Sequence, residues 1–211
     1  DRGVEALQLQ EFILELLSKD QVILIRGNHE DLTLNLLHNW SRNSYLHRHH
    51  HLNGRLDTIC QLTGFSEREV FTKPNEVGKA FLLNPLFQTI IPAMVDYFET
   101  EHYIFVHGWL PVFNEDDVAE RRWENSSERM WKSARFTEWY KMYKDGLTVP
   151  GKTIVCGHRS TRYGRMFDEN RKDDDYSIFY GDGVIALDAT TIQSGRINVL
   201  VIENEEVGDL R

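Results

Sequence analysis

The 211-residue chain is predicted to fold as a layered α/β or α+β domain, and three observations carry that expectation. Short apolar runs of strand length recur at residues 21–25, 102–106 and 153–156, with amphipathic helical patterns between them. Two more runs, Val184 to Leu187 and Ile197 to Ile202, are separated by turn residues at Ser194-Gly195 and read as closing strands. With 41% hydrophobic and 11% aromatic residues, the chain can bury one sizeable core, so the expectation is a single domain over residues 1–211.

In chain order, Val4, Leu7, Leu9, Phe12, Ile13, Leu16 and Leu17 repeat with helical spacing and predict a helix from Gly3 to Ser18. The strand at 21–25 follows, then a loop at 26–30 and a helix carried by Leu32, Leu34, Leu36 and Leu37. A polar connection over 38–53 leads to a short helix around Leu56 to Leu62, and Ser66-Glu67-Arg68-Glu69 has the form of a helix start. Residues 76–100 carry a long apolar helical pattern broken near Asn84-Pro85 and Pro92. Residues 38–100 are therefore expected to form a helical cap or insertion. Beyond the second strand, the acidic stretch Glu115 to Glu128 reads as an exposed or flexible segment and Asp168 to Asp175 as a solvated loop. Trp131, Phe136, Trp139, Tyr140 and Tyr143 form an aromatic helical stripe whose expected role is packing.

Bulk properties exclude several classes. A net charge of -9 argues against broad binding to nucleic-acid backbones. No run approaches the roughly 18 apolar residues of a membrane span, and no secretory leader is visible. Cys60 and Cys156 fit neither a disulfide framework nor a thiolate metal site, and are expected to be reduced thiols of a cytoplasmic protein.

The chemistry concentrates at strand ends. Gly27-Asn28-His29-Glu30 follows the first strand, His107-Gly108-Trp109 the second, and Gly157-His158 the third. Each places an imidazole, or an imidazole with an amide oxygen, beside a glycine that permits a sharp turn. These donors suit Mn, Fe, Zn or Co. One histidine alone would as readily satisfy a hydrogen bond at a strand end; three together favour a composite site.

These motifs resemble those of the calcineurin-like metallophosphoesterases, in particular the serine/threonine phosphoprotein phosphatase group and its bacterial relatives. Asp1-Arg2-Gly3 is similar to the end of that family's Gly-Asp-x-x-Asp-Arg-Gly motif, and Gly27-Asn28-His29-Glu30, His107-Gly108 and Gly157-His158 follow in the family's order. Trp131-Lys132-Ser133-Ala134-Arg135, the run from Lys152 to His158 and Ile185-Ala186-Leu187-Asp188 look most like the proteins of Gram-positive bacteria.

The resemblance implies a β-sandwich flanked by helices. It implies a cofactor of two divalent metal ions, manganese first and Fe, Zn, Co or Ni as alternatives. Asn28, His107 and His158 would ligate one ion, and Asn28 would also face the substrate phosphate. His29 would be the general acid, with Asp1 orienting its ring and Arg2 gripping the phosphoryl oxygens. Arg135 is the candidate for a second phosphate-binding arginine. The family's Asp-x-His and Gly-Asp motifs would precede Asp1, so the expectation is a chain lacking the first strands and the ligands of the other ion.

The function this implies is metal-dependent phosphoester hydrolysis, with a serine/threonine protein phosphatase as the leading reading. The alternatives are hydrolysis of dinucleoside polyphosphates or other small phosphoesters, and a noncatalytic binding protein on the same fold. Expected partners are a phosphorylated protein or small phosphoester, with no nucleic acid and no membrane. The histidines at 47, 49, 50 and 51 are expected to lie in a solvated connection, Trp109 lines either the cleft or the core, and Asp173-Asp174-Asp175 reads as hydrated loop.

Overall fold

The computed structural model describes residues 3–19, 22–38, 54–171 and 173–203. Within it the chain divides into two compact units, one drawn from the described residues of 1–24 and 29–94, the other from those of 25–28 and 95–211.

The first unit is helical. The predicted opening helix is α1, Ala6–Leu17, and α2, Asn28–His38, begins at Asn28 itself, so the expected loop at 26–30 is shortened. Glu30 and Asp31 fall in the first turn of α2, where negative charge complements the exposed amides. Then come α3, Arg55–Thr63, α4, Glu67–Thr72, and α5, Pro74–Leu82. Gly64 at φ +74 closes α3 in a left-handed turn that a β-carbon would strain. Ser66 and Glu69 form the capping box their sequence announces: Ser66 Oγ accepts from the Glu69 amide, and Glu69 Oε2 accepts from the Ser66 amide at 3.0 Å.

Ile59, Val70, Val77 and Phe81 are all but fully buried in this unit's core. Each such side chain contributes about 1.5–3 kcal/mol. Asn84 bridges the break after α5, donating to the Leu62 carbonyl at 3.0 Å and accepting from the Leu86 amide at 2.9 Å. The helical pattern expected over 76–100 ends sooner. After a π-turn at Leu86–Ile90 and a 3-10 turn at Ile91–Ala93, the chain is extended at Met94–Val95 and again at Tyr97–Glu99, with a bend at Asp96 between them.

The strand expected at 21–25 is reduced, among the described residues, to β1, Leu24–Ile25, paired with β2, Met94–Val95. The Arg26 amide continues this pairing by donating to the Val95 carbonyl at 2.9 Å.

A five-stranded sheet organises the second unit. Its strands are β3, Tyr97–Glu99, β4, Tyr103–Val106, β5, Thr153–Cys156, β6, Phe179–Gly181, and β7, Val184–Ala186, in the order β3-β4-β5-β7-β6. The central three are parallel and the edges antiparallel. Ile154, Val155 and Cys156 are buried in succession, as are Val184, Ile185 and Ala186, which is why these strands read as continuous apolar runs rather than alternating ones.

Helices α6, Glu115–Ala119, α7, Glu128–Ala134, α8, Trp139–Lys144, α9, Arg162–Asp168, and α10, Thr191–Ser194, complete the unit. The expected aromatic stripe is split between α7 and α8 and does pack: Trp131 stacks on Tyr97 at 5.3 Å, Tyr140 stacks on Tyr163 at 4.6 Å, and Trp139 is fully buried.

Two sequence expectations are corrected in this unit. Residues 115–128 are mostly exposed but are not a bare exposed face, because Asp117, Val118 and Trp123 are buried. Asn114 caps α6 through the Asp117 amide at 2.9 Å, and Asp117 accepts from Arg122 at 2.7 Å. Residues 197–202 form no strand; β7 instead pairs with β6 across the two-residue turn Asp182-Gly183, with Gly183 at φ +73. The described residues of 168–175 are mostly exposed, at and beyond the end of α9, as the solvated-loop reading expects, with Arg165 on Asp175 at 3.0 Å and Arg171 on Glu169 at 3.0 Å.

Candidate metal centre

Parallel pairing of β4 and β5 brings their C-terminal ends side by side, and both candidate histidines follow directly. One residue past the ladder the Gly157 amide donates to the His107 carbonyl at 2.8 Å, and the rings of His107 and His158 lie 5.2 Å apart. Asn28, only 5% exposed, reaches the same place: its Oδ1 is 2.8 Å from His107 Nε2. Three of the sequence candidates are thus brought together from three chain segments.

The local backbone is constrained to achieve this. A β-carbon on Gly108 would stand 2.5 Å from the Ala134 carbonyl oxygen and 2.9 Å from that of Thr137. Only glycine lets the chain after His107 pass so close to the 134–137 turn. His158 adopts φ +66, a left-handed conformation that costs a non-glycine residue free energy. Its Nε2 lies 3.2 Å from the Phe136 carbonyl oxygen; because a carbonyl only accepts, this contact is a hydrogen bond in the tautomer with the proton on Nε2, which in the neutral ring leaves Nδ1 as the nitrogen that can ligate.

The donor set fits a divalent ion. Asn28 Oδ1 accepts a hydrogen bond from His107 Nε2 at 2.8 Å, and an ion that took the place of that proton would find both atoms at hand, since two ligand atoms each about 2.1 Å from one ion stand roughly 3 Å apart when they subtend a right angle. Two neutral imidazoles and an amide oxygen are borderline donors suited to Mn, Fe, Zn or Co. Among the described residues no group of three or more His, Cys, Asp or Glu side chains could hold an ion. The candidate centre depends on counting the amide.

Arg135 is 2% exposed and is held by Asp96 on one side and by Glu128 at 2.8 Å on the other. Glu128 also meets Arg26 at 3.3 Å. Neither acid was singled out from the sequence; Asp96 lies in what read as helix. His29 is part-buried in α2, with its carbonyl accepting from Thr33 Oγ1 at 2.8 Å. Asp1, Arg2 and the histidines at 47, 49, 50 and 51 lie outside the described residues. Trp109 is 1% exposed and belongs to the core cluster, which decides for the structural alternative.

Cys156 and Cys60 are both free thiols. Full burial pushes the Cys156 thiol well above its ordinary value, so it remains protonated. Glu138 sits below the usual carboxylate range, chiefly through its hydrogen bond from Lys141 and further through Arg159, which reaches it at 2.7 Å.

The sequence profile of the calcineurin-like phosphoesterases matches residues 1–188. No curated protein and no solved structure matches the chain. No helix among the described residues is long and apolar enough to cross a membrane.

Proposed function

Because this chain belongs to the calcineurin-like phosphoesterase family, which implies metal-dependent phosphoester hydrolysis, we propose that it is a phosphatase of phosphoserine and phosphothreonine in proteins. The observation that carries the site assignment is the 2.8 Å approach of Asn28 Oδ1 to His107 Nε2, with the His158 ring beside them. In this reading Asn28, His107 and His158 supply the ligands of one ion of a dinuclear pair, with manganese the leading candidate. The bound pair would supply an acidified water as nucleophile and positive charge for the phosphoryl oxygens.

The chain's own groups do the rest. His29 donates the proton that the leaving alkoxide takes up, and Asp1 orients its ring and raises its basicity. Arg2 grips two phosphoryl oxygens at once, which the planar guanidinium fork suits. Asn28 adds an amide contact to the phosphate. Arg135 joins by exchanging Glu128 for phosphate, because Glu128 is 59% exposed against 27% for Asp96 and is the carboxylate more readily released.

The test is phosphate release by the purified protein with Mn²⁺ from three substrates: a phosphoserine peptide, p-nitrophenyl phosphate and a dinucleoside polyphosphate. The expected result is metal-dependent hydrolysis that favours the phosphopeptide and is lost in His29→Asn. Preferential cleavage of the dinucleoside polyphosphate would move the substrate class. A folded, metal-loaded protein inert to all three would favour a noncatalytic role.

A further inference from the structure

His158 has a strained backbone next to the candidate metal centre, so something must hold it there. Three contacts do. The Phe136 carbonyl accepts from His158 Nε2 at 3.2 Å, the Phe136 ring meets the imidazole edge-on at 6.3 Å, and the indole Nε1 of Trp139 donates to the Arg159 carbonyl at 2.8 Å. The two Phe136 contacts come from the turn between α7 and α8, the same turn whose carbonyls crowd Gly108, and the third comes from the first residue of α8.

The Trp139 bond bears on the turn from its far side, because it fixes the peptide between Arg159 and Ser160, the second after His158. Trp139 is fully buried and packed against Phe179 at 5.4 Å, so its indole is a rigid donor. The peptides on either side are held as well: the Arg159 amide, in the peptide immediately after His158, donates to the Gly157 carbonyl at 2.7 Å, and the Thr161 amide donates to the Asp188 carbonyl at 3.0 Å.

We propose that Trp139 is a positioning residue for the metal centre: by fixing the Arg159 carbonyl it sustains the left-handed turn in which His158 donates through Nε2 to Phe136 and presents the lone pair of Nδ1. The proposal rests on His158 being a ligand. With the indole bond lost, the backbone can relax toward negative φ, the imidazole leaves the Phe136 carbonyl, and the tautomer is no longer fixed.

Trp139→Phe keeps most of the buried ring and removes only the donor. Trp123→Phe is the control: Trp123 is equally buried in the same core cluster, and its indole nitrogen has no hydrogen-bond partner. Mn²⁺ affinity by calorimetry is compared for the wild type, His158→Ala, Trp139→Phe and Trp123→Phe, alongside melting temperature. Long-range ¹H–¹⁵N spectra of the metal-free proteins report the tautomer of His158. The expected result is affinity lowered on the order of tenfold in Trp139→Phe, unchanged in Trp123→Phe at a similar melting temperature, with the Nε2–H tautomer of the wild type giving way to a mixture. Weakened binding in His158→Ala together with wild-type affinity and tautomer in Trp139→Phe would overturn the positioning role alone. Wild-type affinity in His158→Ala would overturn the ligand assignment and the proposal with it.

Discussion

His107 Nε2 and Asn28 Oδ1 stand 2.8 Å apart across 79 residues of sequence. Both atoms can ligate a metal, and their separation is that of neighbouring ligands on one ion. Asn28→Ala should weaken Mn²⁺ binding by about one to two orders of magnitude, with a stability loss of about 1–3 kcal/mol because the part-buried His107 donor is left without this acceptor. Calorimetric titration checks this, and an unchanged dissociation constant would remove Asn28 from the centre.

Gly108→Ala should be disproportionately costly. The added methyl would meet carbonyl oxygens of Ala134, Thr137 and Arg135, which are backbone atoms and cannot swing aside. Overpacking of this kind costs about 1–3 kcal/mol. Denaturant unfolding should show that loss, and metal affinity should fall with it because His107 precedes the displaced residue. Stability within about 0.5 kcal/mol of wild type, the range of an ordinary surface substitution, would count against so tight a contact.

Arg135→Met should destabilise strongly, by about 3–5 kcal/mol, since it leaves Asp96 without its buried cation. Combining it with Asp96→Asn should recover a large part of the loss, and the double-mutant cycle measures how much. Additive effects would mean the two groups do not interact.

Acid stability should depend on Asp175. Hydrogen bonds from Ser177, the backbone amide at 2.9 Å foremost, hold its carboxyl at about 2, and Arg165 at 3.0 Å adds to them. A carboxyl depressed from about 3.9 in the unfolded chain stabilises the fold above that value and loses its contribution as pH falls toward 2. Asp175→Asn should therefore lower stability at pH 7 and flatten the decline between pH 4 and pH 2. Parallel acid-unfolding slopes for the two proteins would contradict the assignment.

Two of the candidate residues, His107 and His158, could be read before the fold because they follow apolar runs that become central parallel strands. Tyr103–Val106, Thr153–Cys156 and Val184–Ala186 are buried enough for composition alone to mark them. The edge strands at Tyr97–Glu99 and Phe179–Gly181 are three residues long, too short for a period to emerge. The run from Ile197 misled for the opposite reason. Ile197, Val199 and Val201 alternate as a strand should, yet are 79%, 72% and 74% exposed, and alternation without a pairing partner makes no strand. The acids around Arg135 and the bond from Trp139 to the Arg159 carbonyl were hidden because both depend on contacts between segments far apart in sequence.

The most direct test of the centre is pulsed electron paramagnetic resonance of the Mn²⁺-loaded protein, which counts nitrogen ligands through their ¹⁴N couplings. Two coupled nitrogens in the wild type, reduced to one in His107→Ala and again in His158→Ala, are the predicted result. A bound ion with no nitrogen coupling, or a count indifferent to both substitutions, would contradict it.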